Sequence, residues 1–370
     1  MANILDYLEW RGDLTMEQAP FNHIDALILS RLSYIPFDGI VLGRHFPPKS
    51  ISKAAAVFFA LKDAAHEVYM PQDADLLLSL ANNRRFQDMK LSGYKNKLDY
   101  ESQMQFSAIT IDIGDSTHFI SYRGTDDTLV GWKENFNMSF MTPVPAQKEA
   151  VRYLEEAAET APGNIRAGGH SKGGNLAVYA ASFCREDIQE RIISVYNNDG
   201  PGFDSAVITS KGYLNVSNRI KTFIPQSSIV GMLLEHEEEY IIIYSTQVGL
   251  LQHDLYTWKV KRDDFIYLDT VTNDSKYIDK TLKDWLSALD LEQREQFIEA
   301  IFGIFIATNA HTLTELTTNW HKNALLVLKS LTNMDVSVKH AVSQVLHLLT
   351  KSAAQNLHML KPNTLSLPNN

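Results

Sequence analysis

Hydrophobic positions along this chain follow two periods, and the switching between them predicts the fold. Apolar and β-branched residues crowd into 106 to 113 and 118 to 122 around Gly114-Asp115-Ser116, which predicts an antiparallel hairpin. Residues 147 to 161 have helical spacing and close on Pro162-Gly163. A short strand from residue 164 then enters a glycine-rich corner and leaves it as an apolar helix. Further strand-like runs cover 191 to 197, 219 to 225, 239 to 245 and 265 to 268, the first three each preceded by a polar or helical connection. That alternation predicts an α/β fold with a mostly parallel sheet flanked by helices.

Both ends read differently. Residues 1 to 92 are mainly helical in pattern, with Asn22 and Asp25 opening a helix before Leu27, Ile28, Leu32 and Ile35. Alanine-rich segments follow over 53 to 64 and 74 to 81, and Tyr34-Ile35-Pro36-Phe37-Asp38 breaks the first helix to leave an apolar corner for packing on the sheet. After Asn273, Ile278, Leu282, Trp285, Leu286 and Leu289 fall at helical spacing, and Asp290 with Gln293 caps a second helix carrying Phe297, Ile301, Ile304 and Phe305. Two more helices are predicted around Leu313 to Leu331 and Val338 to Leu349, ahead of a tail with Pro362 and Pro368. The expected organisation is an N-terminal helical segment over 1–92 packed on the core, a core over 93–272, a helical region over 273–360 and a tail over 361–370.

Composition narrows the function. The 370 residues are 45% hydrophobic, enough for a large core. With 34 Lys and Arg against 44 Asp and Glu, the formal charge of −10 argues against nucleic acid as a partner. Cys184 is the only cysteine, so an internal disulfide is excluded. The first residues carry no cationic stretch followed by an apolar run, and the apolar stretch near 300 to 307 is too short to span a bilayer. The simplest expectation is a soluble, cytoplasmic protein.

The chemistry concentrates in Gly169-His170-Ser171-Lys172-Gly173, a Gly-x-Ser-x-Gly pattern between a strand and a helix. Such a nucleophile elbow pushes a serine hydroxyl out of the sheet, and the helix N-terminus below it favours an oxyanion. An activated serine needs a base, and the base needs a carboxylate to hold its tautomer. His253, late in the sheet region and in a loop opened by Gly249, is the best-placed base; His236 reads as part of an exposed acidic turn, and His311, His321, His340 and His347 fall on helices. For the acid, Asp199 ends the strand after the elbow helix, Asp204 suits a helix cap, and Asp254 adjoins His253. The strand ending in Arg123-Gly124-Thr125-Asp126 is suited to present a second oxyanion donor, beside the N–H groups of the helix N-terminus. Metal-ligand spacings and phosphate-cradling loops are absent, so no cofactor is expected.

Tyr122-Arg123-Gly124-Thr125-Asp126 with Trp132, followed by Gly169-His170-Ser171-Lys172-Gly173-Gly174, resembles the class 3 lipases of the α/β-hydrolase superfamily. The whole chain looks still more like a group of bacterial lipase-like proteins of unknown function. The lipase resemblance spans roughly residues 105 to 260 and implies an α/β-hydrolase fold with Ser171 as nucleophile, His253 as base, and Thr125 and the Lys172 N–H as oxyanion donors. It departs at the acid: after the strand ending at Pro225, where class 3 lipases carry theirs, stand Gln226-Ser227-Ser228. Other lipases of the superfamily take the acid from the preceding strand end, the position of Asp199.

Two functions follow. One is a serine hydrolase acting on a small-molecule or lipid ester or a thioester through Ser171, His253 and Asp199. The other is a hydrolase-fold binding module that contacts a protein or membrane surface through its helical C-terminus.

Overall fold

The computed structural model describes residues 2–62, 67–126, 128–138, 140–306, 308, 311–312, 315 and 336–360. Helices α1 (Ile4–Arg11) and α2 (His23–Leu32) come first, then strand β1 (Lys49–Ser50), helices α3 (Ile51–Ala60) and α4 (Pro71–Ala81), and strands β2 (Lys90–Asp99), β3 (Met104–Asp112) and β4 (Thr117–Tyr122). Helices α5 (Leu129–Asn137) and α6 (Pro145–Thr160) lead to β5 (Asn164–His170) and the elbow helix α7 (Lys172–Phe183). Next come α8 (Glu186–Gln189), β6 (Ile192–Asn198), α9 (Ser205–Ile208), α10 (Lys211–Val216), β7 (Ile220–Pro225) and β8 (Tyr240–Ile243). Strand β9 (Tyr267–Leu268) precedes α11 (Asn273–Ser287), α12 (Leu291–Ile306) and α13 (Val336–Asn356).

These nine strands form one sheet in chain order. β1 to β4 pair antiparallel, β4 to β8 pair parallel, and β9 returns antiparallel on β8. The predicted hairpin is present, with Ala108 opposite Tyr122 and Asp112 opposite His118. A sheet whose central five strands are parallel, with crossover helices and a serine at the end of its fifth strand, is an α/β-hydrolase-like fold, as expected.

Side chains alternate across the strands and so supply two cores. Ile109, Ile111, Phe119 and Phe223 share one cluster with Ile28, Leu32, Phe58 and Leu77 of the N-terminal helices. Ala108, Ile120, Ala167 and Val195 face Leu154, Leu176 and Tyr213 on the other side. The N-terminal segment is therefore continuous with the core of the sheet. Asn22 and Asp25 form a reciprocal cap on α2, each side chain accepting a backbone N–H of the other's end. Asp290 and Gln293 exchange the same pair of bonds ahead of α12.

Several expectations need correction. The boundary at residue 92 falls inside β2, which pairs with β3 over most of its length. Its sequence, Lys-Leu-Ser-Gly-Tyr-Lys-Asn-Lys-Leu-Asp, lacks β-branched residues, and a register shift between Ser92 and Lys95 interrupts the alternation. The helix expected over 53 to 64 ends at Ala60, and α5 gave no periodic signal. His236 is not in an exposed turn: its side chain is buried with Glu238, which also accepts from Thr222 Oγ1 at 2.6 Å and from the Tyr213 hydroxyl. The expected helix around Leu313 to Leu331, His321 and the tail with Pro362 and Pro368 lie outside the described residues.

The C-terminal helices are tied to the body. Thr272 N donates to Gln226 O at 2.7 Å and Ser275 Oγ to Ser228 O at 2.6 Å, so α11 starts on the loop after β7. α12 meets α5 through Lys133–Glu299 at 2.7 Å and the Phe136 and Phe302 rings. Among the described residues no helix is long and apolar enough to cross a membrane.

Candidate active site

The parallel register aligns the C-terminal ends of five strands: Tyr122 lies opposite Gly169, His170 opposite Asn198, Asn198 opposite Phe223, and Pro225 opposite Ile243. The residues that follow these ends therefore collect along one edge, where α/β sheets build their sites.

Ser171 lies in the turn from β5 into α7 with φ 58° and ψ −134°, a conformation costly for any residue with a side chain. The turn brings the chain back on itself so closely that a Cβ on Gly169 would meet the backbone of Gly173 and Tyr122, and one on Gly173 would meet Tyr122 O. Only glycine fits at either flank. Ser171 N donates to Asn198 O at 2.9 Å, pinning the corner to β6.

Asp199 is the second residue of this edge at positive φ, 52°. It is buried, and one carboxylate oxygen, Oδ1, accepts from Ser228 Oγ at 2.5 Å and Gly231 N at 3.1 Å. The other, Oδ2, stands 2.6 Å from His253 Nδ1. Asp204 and Asp254 are engaged elsewhere, capping α9 at Val207 N and accepting from Tyr256 N. Ser228, which stands where the lipase resemblance leads one to seek a carboxylate, instead donates to one.

His253 ends a single 3-10 turn, Gly249–His253, and keeps 26% of its side chain exposed beside the almost wholly buried Asp199. Its loop is held at several points. Gln252 Oε1 accepts from Ser227 N at 2.8 Å, Trp258 Nε1 donates to Gln252 O at 2.8 Å, and His170 Nε2 lies 2.8 Å from His253 O. The His170 and His253 rings lie 4.5 Å apart at 34°. Burial drives the His170 ring well below the usual imidazole range, and the adjacent His253 and Arg31 act in the same direction. A neutral His170 that donates from Nε2 to a carbonyl leaves Nδ1 to accept from the Tyr34 hydroxyl at 3.3 Å. Tyr34 in turn lies against Arg31, whose guanidinium is paired with Asp73 at 2.5 and 2.6 Å.

The proposed oxyanion donors flank the serine. Gly124, the residue before Thr125, packs so near the elbow that a Cβ there would stand 3.1 Å from Ser171 Cβ. Thr125 is buried, and its Oγ1 has no hydrogen-bond partner among the described residues. Lys172 is the first residue of α7, where backbone N–H groups have no partner within the helix. Its side chain is fully buried and donates to Gln105 O, Gln105 Oε1 and Glu134 Oε2 at 2.7, 2.7 and 2.9 Å.

Sequence reasoning missed His170, Ser228, Gln105 and Glu134 as members of this site. His170 lies inside the motif itself, and a lysine after the serine, buried by the helix it opens, implies a carboxylate partner; which carboxylate only the fold decides.

The family model described as Mbeg1-like matches residues 80–303, more than half of the chain. The chain belongs to this family. Among solved structures it is similar to the native Rhizomucor miehei lipase propeptide complex, at 16% identity and a TM-score of 0.37 over 65% of this chain and 80% of that one. It is also similar to a mutant form of MDLA from Penicillium cyclopium, at 12% identity and 0.38 over 66% and 83%. A triacylglycerol lipase from Penicillium expansum matches at 11% identity and 0.32 over 47% and 76%. No curated protein matches the chain.

Proposed function

We propose that this Mbeg1-like protein is a serine hydrolase that cleaves carboxylic esters, acyl-lipid esters and thioesters included, through Ser171, His253 and Asp199. The observation that carries the reading is the 2.6 Å contact between His253 Nδ1 and a buried Asp199 carboxylate on the edge where Ser171 is held in a strained turn. A carboxylate on Nδ1 keeps the proton there and leaves Nε2 as the basic nitrogen.

In this mechanism Ser171 Oγ attacks the ester carbonyl while His253 Nε2 takes the hydroxyl proton. The charge that develops on the carbonyl oxygen is met by the Lys172 N–H and by Thr125, whose hydroxyl is otherwise unspent. Each such donor contributes about 3–4 kcal/mol of transition-state stabilisation. His253 then returns its proton to the leaving alcohol or thiol, and a water deprotonated at the same nitrogen hydrolyses the acyl-serine. Every proton in the cycle is handled by side chains, and no cofactor or nucleic acid enters it; a cytoplasmic location remains part of the same proposal.

The test is labelling by a fluorophosphonate together with hydrolysis of short p-nitrophenyl esters. The wild-type protein is expected to do both, and Ser171→Ala to do neither while retaining its melting temperature. An unlabelled wild type, or hydrolysis undiminished in Ser171→Ala, would favour the alternative of a hydrolase-fold binding module.

A further inference from the structure

At the first residue of the elbow helix lies a buried charged pair that the hydrolytic steps above do not use. Lys172 and Glu134 have fully buried side chains and stand 2.9 Å apart. Burying two charges is costly unless their donors and acceptors are satisfied, and here the ammonium and both carboxylate oxygens are paired, while Gln105 Nε2 is left without a partner among the described residues. The Lys172 ammonium donates to Glu134 and to both oxygens of Gln105. The Glu134 carboxylate accepts in addition from Gln105 N at 3.1 Å and Ala146 N at 2.8 Å. Four segments meet at this point: the start of β3, the middle of α5, the first turn of α6 and the first residue of the elbow helix.

Resting on the hydrolase reading, we infer that Glu134 and Gln105, acting through the Lys172 side chain, are positioning residues for the oxyanion site. The N–H proposed to meet the oxyanion belongs to Lys172, so holding this side chain at three points restrains the peptide that carries the donor. Helix α5 also reaches the second donor. Its Gly131 lies so close to Thr125 that a Cβ there would stand 3.0 Å from Thr125 Cγ2 and 3.2 Å from Gln105 Oε1. Thus one helix braces both proposed donors, Thr125 by packing at Gly131 and Lys172 by charge at Glu134. An oxyanion site works because its dipoles are already aimed before charge develops, and small displacements of a donor are costly to the rate. A surface-exposed lysine after the serine would leave that aim to the turn alone.

The test compares Lys172→Met and Glu134→Gln with the double variant, all of which keep the Lys172 backbone N–H. Each is assayed for p-nitrophenyl ester hydrolysis, for thermal unfolding, and for inhibition by phenylboronic acid, whose tetrahedral adduct on a serine places an oxygen where the oxyanion forms. The single variants are expected to lose about 10- to 100-fold in kcat with little change in KM, the pattern of an interaction made in the transition state. Phenylboronic acid should weaken by a similar factor. The double variant leaves no unpaired buried charge, so its melting temperature should return toward wild type while kcat stays low and the boronate remains weak. If kcat recovers along with the melting temperature, the pair is a stability element only and the inference falls. Should the single variants fail to fold, the double variant decides alone: a stable protein with wild-type kcat and boronate affinity overturns the inference. A wild type that neither hydrolyses esters nor labels at Ser171 would instead overturn the hydrolase reading on which this one rests.

Discussion

Asp199→Asn is the sharpest perturbation of the proposed site because the surroundings dictate which way the new amide must face. Oδ1 of Asp199 receives two donors, Ser228 Oγ at 2.5 Å and Gly231 N at 3.1 Å. The Gly231 N–H can only donate, so an asparagine places its carbonyl oxygen there and turns its NH2 toward His253. The reverse orientation would set the amide NH2 against that N–H and leave it only Ser228 Oγ, at 3.0 Å, as acceptor, at a cost of about 1 kcal/mol. With NH2 on Nδ1, the imidazole must accept at Nδ1 and carry its proton on Nε2, where it can no longer take one from Ser171. The same substitution in the best-studied triad lowers kcat by about 10⁴-fold, which corresponds to about 5 kcal/mol in the barrier. For this protein we expect kcat for a p-nitrophenyl ester to fall by roughly 10³- to 10⁴-fold with KM nearly constant. Asp204→Asn is the control. Its carboxylate caps α9, a role asparagine fills equally well, so kcat and stability should hardly change. If Asp199→Asn keeps more than about a tenth of wild-type kcat, the tautomer argument fails and Asp199 is not the acid.

Two further outcomes follow from buried charge. Asp73→Asn removes the charge that neutralises Arg31, both side chains being at most 2% exposed, and should destabilise the protein by about 3–5 kcal/mol in urea titrations; a loss below about 1 kcal/mol would show that Arg31 is neutralised by something else. Because His170 is held well below its ordinary value of 6.5, the unfolded chain binds a proton at 170 that the folded chain refuses. Folding stability contributed at this position is therefore intact above pH 6.5 and declines below it, with a slope of up to about 1.4 kcal/mol per pH unit until the folded ring titrates. His170→Gln should flatten the stability profile between pH 7 and 5, and an unchanged slope would refute the assignment.

Much of this architecture is legible in one dimension because its causes are local. Strand and helix periods, the Asn22–Asp25 and Asp290–Gln293 caps, and the need for glycine on both sides of Ser171 are all consequences of a few neighbouring residues. The chain order of Ser171, Asp199 and His253 could be read in the same way, since each follows a predicted strand. Other features are decided only when distant segments meet. β2 has the composition of a polar linker and becomes a strand because β3 offers it a ladder of partners. Nothing near Glu134 distinguishes it from a surface glutamate on an amphipathic helix; its burial follows from the elbow lysine that the fold delivers to it across 38 residues. His236 looks solvated among acidic neighbours, yet Tyr213 and Thr222 draw Glu238 inward; although burial raises that carboxyl, bonds from His236, Thr222 and Tyr213 hold it at about 2. Ser228 carries the same lesson to the site. As a sequence position it marks the lack of a carboxylate, and in three dimensions it is the hydroxyl that orients the carboxylate supplied by the neighbouring strand. Backbone geometry and apolar burial are encoded within short windows, whereas the pairing of buried polar groups depends on which partner the completed fold brings within about 3 Å.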